Sequence, residues 1–142
     1  MKVIACLVLV CLTASLIGCK SGQSNSASIR ESGLFKVTIM YPDGEGKTFD
    51  MTYYEQKHMP MVAAFLGANL RFYEIDKGLT GRTAADKATY AAIGYFYIKD
   101  VEEYNKAVGR NRDAIISDFK NYTNIQPVIQ ISEVRQVVTN PK

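Results

Sequence analysis

An α+β domain on a single antiparallel sheet is predicted by three features of the chain. Runs rich in β-branched and aromatic residues recur at 34–41, 69–76, 89–98 and 125–138. Helical spacings of three and four separate the first run from the second and the third from the fourth, while only a polar loop joins the middle pair. The order strand, helix, strand, strand, helix, strand is the split βαβ pattern of a ferredoxin-like fold, βαββαβ, with both helices on one face of the sheet.

The chain has 142 residues, 47% hydrophobic and 22% charged, which suits one globular domain. Its net charge is +3 with both signs scattered, so no basic stripe exists to follow phosphates and no nucleic-acid partner is expected. All three cysteines, Cys6, Cys11 and Cys19, precede residue 20, so they form no disulfide framework. With His58 the one histidine, a protein-built metal site is not expected.

Residues 1–18 read as a lipoprotein signal peptide: Lys2 gives a basic start, residues 3–17 are apolar, and Leu16-Ile17-Gly18-Cys19 resembles a lipobox with Cys19 as the lipidated residue. The apolar stretch is short for a membrane span. Residues 19–33 are a polar, Ser-rich tether, the folded domain covers 34–138, and 139–142 form a tail. These readings place the protein in the cell envelope, held to a membrane through its N-terminal lipid. Lys20 after the cysteine favours the outer membrane, facing the periplasm, in a host that has one.

The first strand, 34–41, alternates with Phe35, Val37, Ile39 and Tyr41 on one face, and Pro42-Asp43-Gly44 ends it. Thr48 or Asp50 then caps a helix whose inward stripe runs through Met51, Tyr54, His58, Met61 or Val62, and Phe65. Pro60 is expected to end that helix at His58 or to restart it, and Gly67 to stop it. The polar loop 77–88 between the second and third strands is a candidate lid. The third strand, 89–98, is apolar on both faces, with Ile93, Tyr95 and Tyr97 opposite Ala92, Phe96 and Ile98. Two helices can cover one face only, so the other is expected to pair with a second copy as a homodimer. Asp100 with Glu103 opens the second helix, broken near Gly109, and Pro127 stands near the start of the last strand.

Five segments carry a resemblance: Tyr41-Pro42; Phe49-Asp50-Met51-Thr52-Tyr53-Tyr54; Lys57-His58-Met59-Pro60-Met61-Val62; Asp76-Lys77-Gly78-Leu79; and residues 121–134 from Asn121-Tyr122-Thr123 through Pro127 to Ile131-Ser132-Glu133-Val134. In this order and spacing they resemble the EthD family of dimeric α+β-barrel proteins over residues 35–134. The resemblance implies a ferredoxin-like subunit whose sheet pairs with its twin's into a barrel. It also implies a ligand cavity between helices and sheet, and the name reductase. The leader at 1–18 departs from the family pattern and points away from a cytoplasmic catabolic role.

His58 is the foremost candidate, because imidazole exchanges a proton near neutral pH. Tyr54 and Asp50 stand four and eight residues before it on the same side of the helix and are expected to orient or relay that proton. Tyr41, Tyr53, Tyr95 and Tyr97 are the candidate substrate-binding residues, with hydroxyls turned into a cavity. No Gly-x-Gly-x-x-Gly or P-loop is present, so hydride chemistry would need an external flavin or nicotinamide, and the cofactor is left unknown. The expected ligand is a small apolar oxygenated or aromatic molecule, transformed by an oxidoreductase or held without turnover; a haem-like ligand and a purely structural envelope lipoprotein are the other readings. Lipidation has a direct check: Cys19→Ser is expected to move the protein from the membrane pellet to the soluble fraction, and an uncleaved wild-type chain found soluble in the cytoplasm would refute the anchor.

Overall fold

The computed structural model describes residues 33–138; the expected signal peptide, the expected lipidation site Cys19 and most of the expected tether, within 1–32, and the expected tail at 139–142 lie outside the described residues. Alternating apolar residues build β1 (Phe35–Pro42), whose Val37, Ile39 and Tyr41 are buried while Lys36, Thr38 and Met40 turn the other way. The Asp50 carboxylate then accepts the Tyr53 amide at 3.0 Å and caps α1 (Met51–Tyr53). Such a cap is worth about 1 kcal/mol.

The helix does not end at His58. It widens into a π-helical turn (Tyr54–His58), in which the Met59 amide reaches back five residues to the Tyr54 carbonyl, and continues as α2 (Met59–Leu66). Pro60 falls in the first turn of α2, where its missing N–H is tolerated. The π turn adds one residue to the repeat, so the buried stripe beyond His58 runs through Met59, Val62, which is one of the two positions expected there, and Leu66, whereas Met61 and the expected Phe65 are only half-buried. Gly67, at φ +50°, ends the helix as expected.

A 3₁₀ turn (Gly67–Asn69) leads into β2 (Leu70–Lys77), and β3 (Tyr90–Ile98) returns beside it. Asp100 caps α3 (Val101–Arg110) by accepting the Glu103 amide at 2.8 Å. The chain breaks at Asn111 before α4 (Arg112–Asp118) and a 3₁₀ turn (Phe119–Asn121). The last strand, β4 (Val128–Glu133), is shorter than the expected 125–138. Ile125 is drawn into the core instead, its amide held by the Thr123 hydroxyl at 3.0 Å, and Pro127 has no N–H with which to extend the ladder.

All strand pairs are antiparallel, in the order β2-β3-β1-β4, which is the ferredoxin-like arrangement that the element order predicted. The core lies between helices and sheet: Val37, Ile39 and Tyr41 of β1 and Ala92, Phe96 and Ile98 of β3 meet Tyr54, Met59, Val62 and Leu66 from the first helical segment and Tyr104 and Ala107 of α3. At Gly94 in the middle of β3, an added Cβ would collide with the Tyr54 hydroxyl and come within 3.3 Å of the Met59 Cε. The central strand therefore needs glycine there for Tyr54 to lie down on the sheet.

The opposite face of the sheet is mixed. Phe72 stacks on Tyr97 with ring centroids 4.1 Å apart, the Tyr97 hydroxyl donates to Glu74 at 2.9 Å, and the Lys36 ammonium sits 5.5 Å from the centre of the Tyr95 ring. Among the described residues no helix is long and apolar enough to cross a membrane.

Candidate functional site

The π turn presents Tyr54 and His58 to the interior together, both buried, their rings stacked at 15° with centroids 5.6 Å apart. A widened turn of this kind is frequent at functional positions. Around them gather Tyr41 from β1, Phe49 before the helix, and Phe119 and Tyr122 after α4. Edge-to-face contacts dominate this aromatic cluster, as ring quadrupoles favour.

His58 is held by a carboxylate. Its Nδ1 lies 2.9 Å from Asp118 Oδ2, while Asp118 Oδ1 accepts from the Tyr53 hydroxyl at 2.7 Å and from the Asn121 side-chain amide at 2.8 Å. Burial would raise the Asp118 pKa, but the bonds from His58, Tyr53 and Asn121 outweigh it and hold the carboxyl below its ordinary value. An ionised Asp118 can only accept, which assigns the proton to Nδ1 and leaves Nε2 with its lone pair. Burial pushes the His58 pKa below its ordinary value, and Asp118 opposes without reversing that, so the imidazole is neutral at neutral pH. The Nδ1 contact is the one hydrogen bond His58 makes among the described residues.

His58 also lines a cavity of about 80 Å³ between helices and sheet, together with Ile39, Tyr41, Tyr54, Met59 and Phe96 and residues of α3, α4 and β4. That volume is well below the roughly 300 Å³ at which pockets for larger ligands begin, so a haem-like molecule does not fit. Burial is the main reason the Tyr41, Tyr54 and Tyr122 pKa values are raised, which keeps these phenols protonated. Tyr41 and Tyr122 share a hydrogen bond of 2.9 Å between their hydroxyls. The Tyr54 hydroxyl is fully buried beside the Tyr41 hydroxyl, which is its polar neighbour, but makes no hydrogen bond of full geometry.

The sequence-predicted residues divide accordingly. His58, Tyr54 and Tyr41 meet at the cavity, and Tyr53 stands behind the histidine on Asp118. Asp50 does not join them, because its carboxylate is turned back to the helix N-terminus. Tyr95 and Tyr97 do not line this cavity either. Tyr41 pairs with Ala92, and strand alternation then places residues 93, 95 and 97 on the opposite face. There, burial and then the neighbouring Asp76 push Tyr95 up to about 12. No residue of the 78–89 loop lines the cavity; it borders a shallow depression with Ile75 and Ile93. Asp118 and Tyr122 were not singled out from the sequence as site residues. A carboxylate in the last turn of a helix is disfavoured by the helix dipole, and that was the available sign that Asp118 has a tertiary partner. Among the described residues no group of three potential ligands could hold a metal ion.

A βαββαβ sheet with a buried histidine–aspartate pair over a small apolar cavity defines a ferredoxin-like α+β domain. No family model and no curated protein matches the chain. Among solved structures, an EthD-like protein from Ralstonia eutropha JMP134 is 40% identical with a TM-score of 0.69, over 73% of this chain and 94% of that one. An EthD family protein from Bacillus halodurans C-125 shares the fold at 16% identity and a TM-score of 0.54, over 70% of this chain and 97% of that one. The chain belongs to the EthD-like family.

Because His58 is the sole histidine, its titration can be followed by NMR without assignment ambiguity. Its pKa is expected below 6.5, and Asp118→Asn should lower it further by removing the charge that favours the imidazolium. A group depressed in the folded state binds its proton more readily when unfolded, so this contribution leaves stability intact above pH 6.5 and erodes it as pH falls from there toward the folded pKa. An unchanged His58 pKa in Asp118→Asn would contradict the coupling.

Proposed function

We propose that this EthD-like protein binds a small apolar oxygenated or aromatic molecule in the cavity between helices and sheet and transforms it with His58 as acid or base. The observation that carries this reading is the buried imidazole, tied through Nδ1 to Asp118 and lining an apolar cavity. A buried neutral histidine with a fixed tautomer is poised to take a proton, and the carboxylate behind it stabilises the imidazolium that forms. Asp118 takes the orienting role that the sequence pattern offered to Asp50, and Tyr53 and Asn121 hold Asp118 in turn. Tyr54 is the group that meets the substrate beside His58. For an oxidoreductase, an external flavin or nicotinamide supplies the hydride, since no side chain here can. His58→Gln should retain the far-UV circular dichroism of the wild type and lose at least about a hundredfold in turnover of the small molecule that co-purifies with the chain, identified by native mass spectrometry. Unchanged turnover would leave a binding module without catalysis.

The working unit we propose is a homodimer carried on the membrane by lipid at Cys19. Support for the pairing comes from the sheet face away from the helices, where Met40, Ile93 and Tyr95 are half-buried and Val128 is exposed without a covering element among the described residues. A two-fold axis lets this face cover its own copy, and a contact of roughly 1,600 Å² is the usual size for a stable pair. Sedimentation of the Cys19→Ser protein at micromolar concentration should give a dimer; a monomer with a folded sheet would remove the barrel from the proposal.

A further inference from the structure

The helices do not roof the whole sheet. Ile129 and Ile131 of β4 stand opposite Ile39 and Val37 of β1, so all four share the helix side of the sheet. Ile39 and Val37 are buried there, whereas Ile129 is 56% and Ile131 40% exposed. The helical layer therefore stops short of the edge strand. The His58 cavity reaches toward solvent at the same edge. Every residue that β1, β3 and the first helical segment contribute to its wall is buried. The wall residues that are not buried are Val108 near the end of α3, Ile115 of α4, Phe119 just after it, Pro127 and Ile129, and among them only Ile129 is fully in the exposed range. One side chain thus belongs both to the cavity wall and to the surface.

We propose that the gap between α4 and β4 is the passage by which a ligand reaches the cavity beside His58, and that Ile129 at its threshold sets the size of molecule admitted. This rests on the cavity being the ligand site. The rim decides the class of ligand. Val108, Ile115, Phe119, Pro127 and Ile129 offer no charged or hydrogen-bonding side chain, so an ion would lose its hydration in passing with nothing to replace it, whereas an uncharged apolar molecule has little to lose. The volume inside, about 80 Å³, is smaller than apolar cavities that accept benzene, so a ring enters only as the wall gives way. Ile129 is the wall residue that yields most readily, because it lies on an edge strand and more than half of it is in water, while the side chains opposite are packed in the core.

The test uses phenol and 2-naphthol, probes of one and two rings that are uncharged at neutral pH, titrated into the full chain and followed by the NMR signal of the single histidine. Ile129→Ala should raise the affinity for 2-naphthol relative to phenol about tenfold over the wild type, as the loss of methylene groups from an apolar pocket wall allows. Partitioning of the probes into detergent cancels in that comparison. Ile129→Trp should weaken the binding of both probes by a similar factor, and the alanine variant decides by itself if the bulky one does not fold. The same two substitutions at Ile131, on the same face of the strand but outside the cavity wall, should change neither the ratio nor the affinities. Every variant should sediment as the wild type does. Unchanged selectivity in Ile129→Ala with undiminished binding in Ile129→Trp would put the entrance elsewhere and overturn the inference while leaving the cavity as the ligand site. Equal effects at 129 and 131 would overturn it in the same way, as would altered sedimentation of a variant at 129, which would make the strand edge a subunit contact. If neither probe moves the His58 signal in any of these proteins, the cavity reading itself fails, and the passage with it.

Discussion

The pairing of β1 with β3 is the constraint on which the other features depend. Tyr41 stands opposite Ala92 and Val37 opposite Phe96, so these four share the helix side of the sheet, together with Gly94. Because side chains alternate along a strand, a slip of one residue would turn Tyr95 and Tyr97 onto the helices and Phe96 away from them. The closeness of Gly94 to Tyr54 shows how narrow the tolerance is: a side chain at that position would collide with the hydroxyl. Register therefore decides at once where the cavity lies, which tyrosines can reach it, and which face is left for another molecule.

On this sheet the first helical segment is set down out of phase with a regular helix. The extra residue of the π turn allows Tyr54, His58 and Met59 to point inward together, which a 3.6-residue repeat would not do for adjacent His58 and Met59. Pro60 restarts the regular helix immediately afterwards. The second helical region then contributes a single charge at the right height, Asp118, across 60 residues of sequence. Placed in the last turn of α4, that carboxylate opposes the helix dipole, and the bonds from His58, Tyr53 and Asn121 offset the penalty. The site is thus a join between two helices, made over the aromatic cluster of Tyr41, Phe49 and Tyr122.

Much of the fold was legible because its signals are local. The alternation of β1, the cap at Asp50, the stop at Gly67 and the Asp100 start of α3 each involve residues within a few positions of one another. The last strand was read too long because Ile125 and Val138 are apolar for different reasons: Ile125 is buried among core side chains before the strand begins, while Val138 is exposed beyond its end. The candidate site was legible by half. His58, Tyr54 and Tyr41 were named from residue type and face, whereas Asp118 and Tyr122 belong to a contact that no periodicity encodes.

By itself, then, the sequence determined the βαββαβ order and the inward direction of Tyr54 and His58, since each depends on chemistry or spacing inside one element. Tertiary structure decided the tautomer of His58, through a carboxylate 60 residues away, and separated Tyr41 from Tyr95 and Tyr97, through the register of two strands. It also decided that Asp50 is a cap and not part of the site, since a carboxylate at a helix N-terminus finds the Tyr53 amide closer than any imidazole. Alternation along one strand fixes which residues share a face, but only the packed helices determine which of the two faces becomes the cavity.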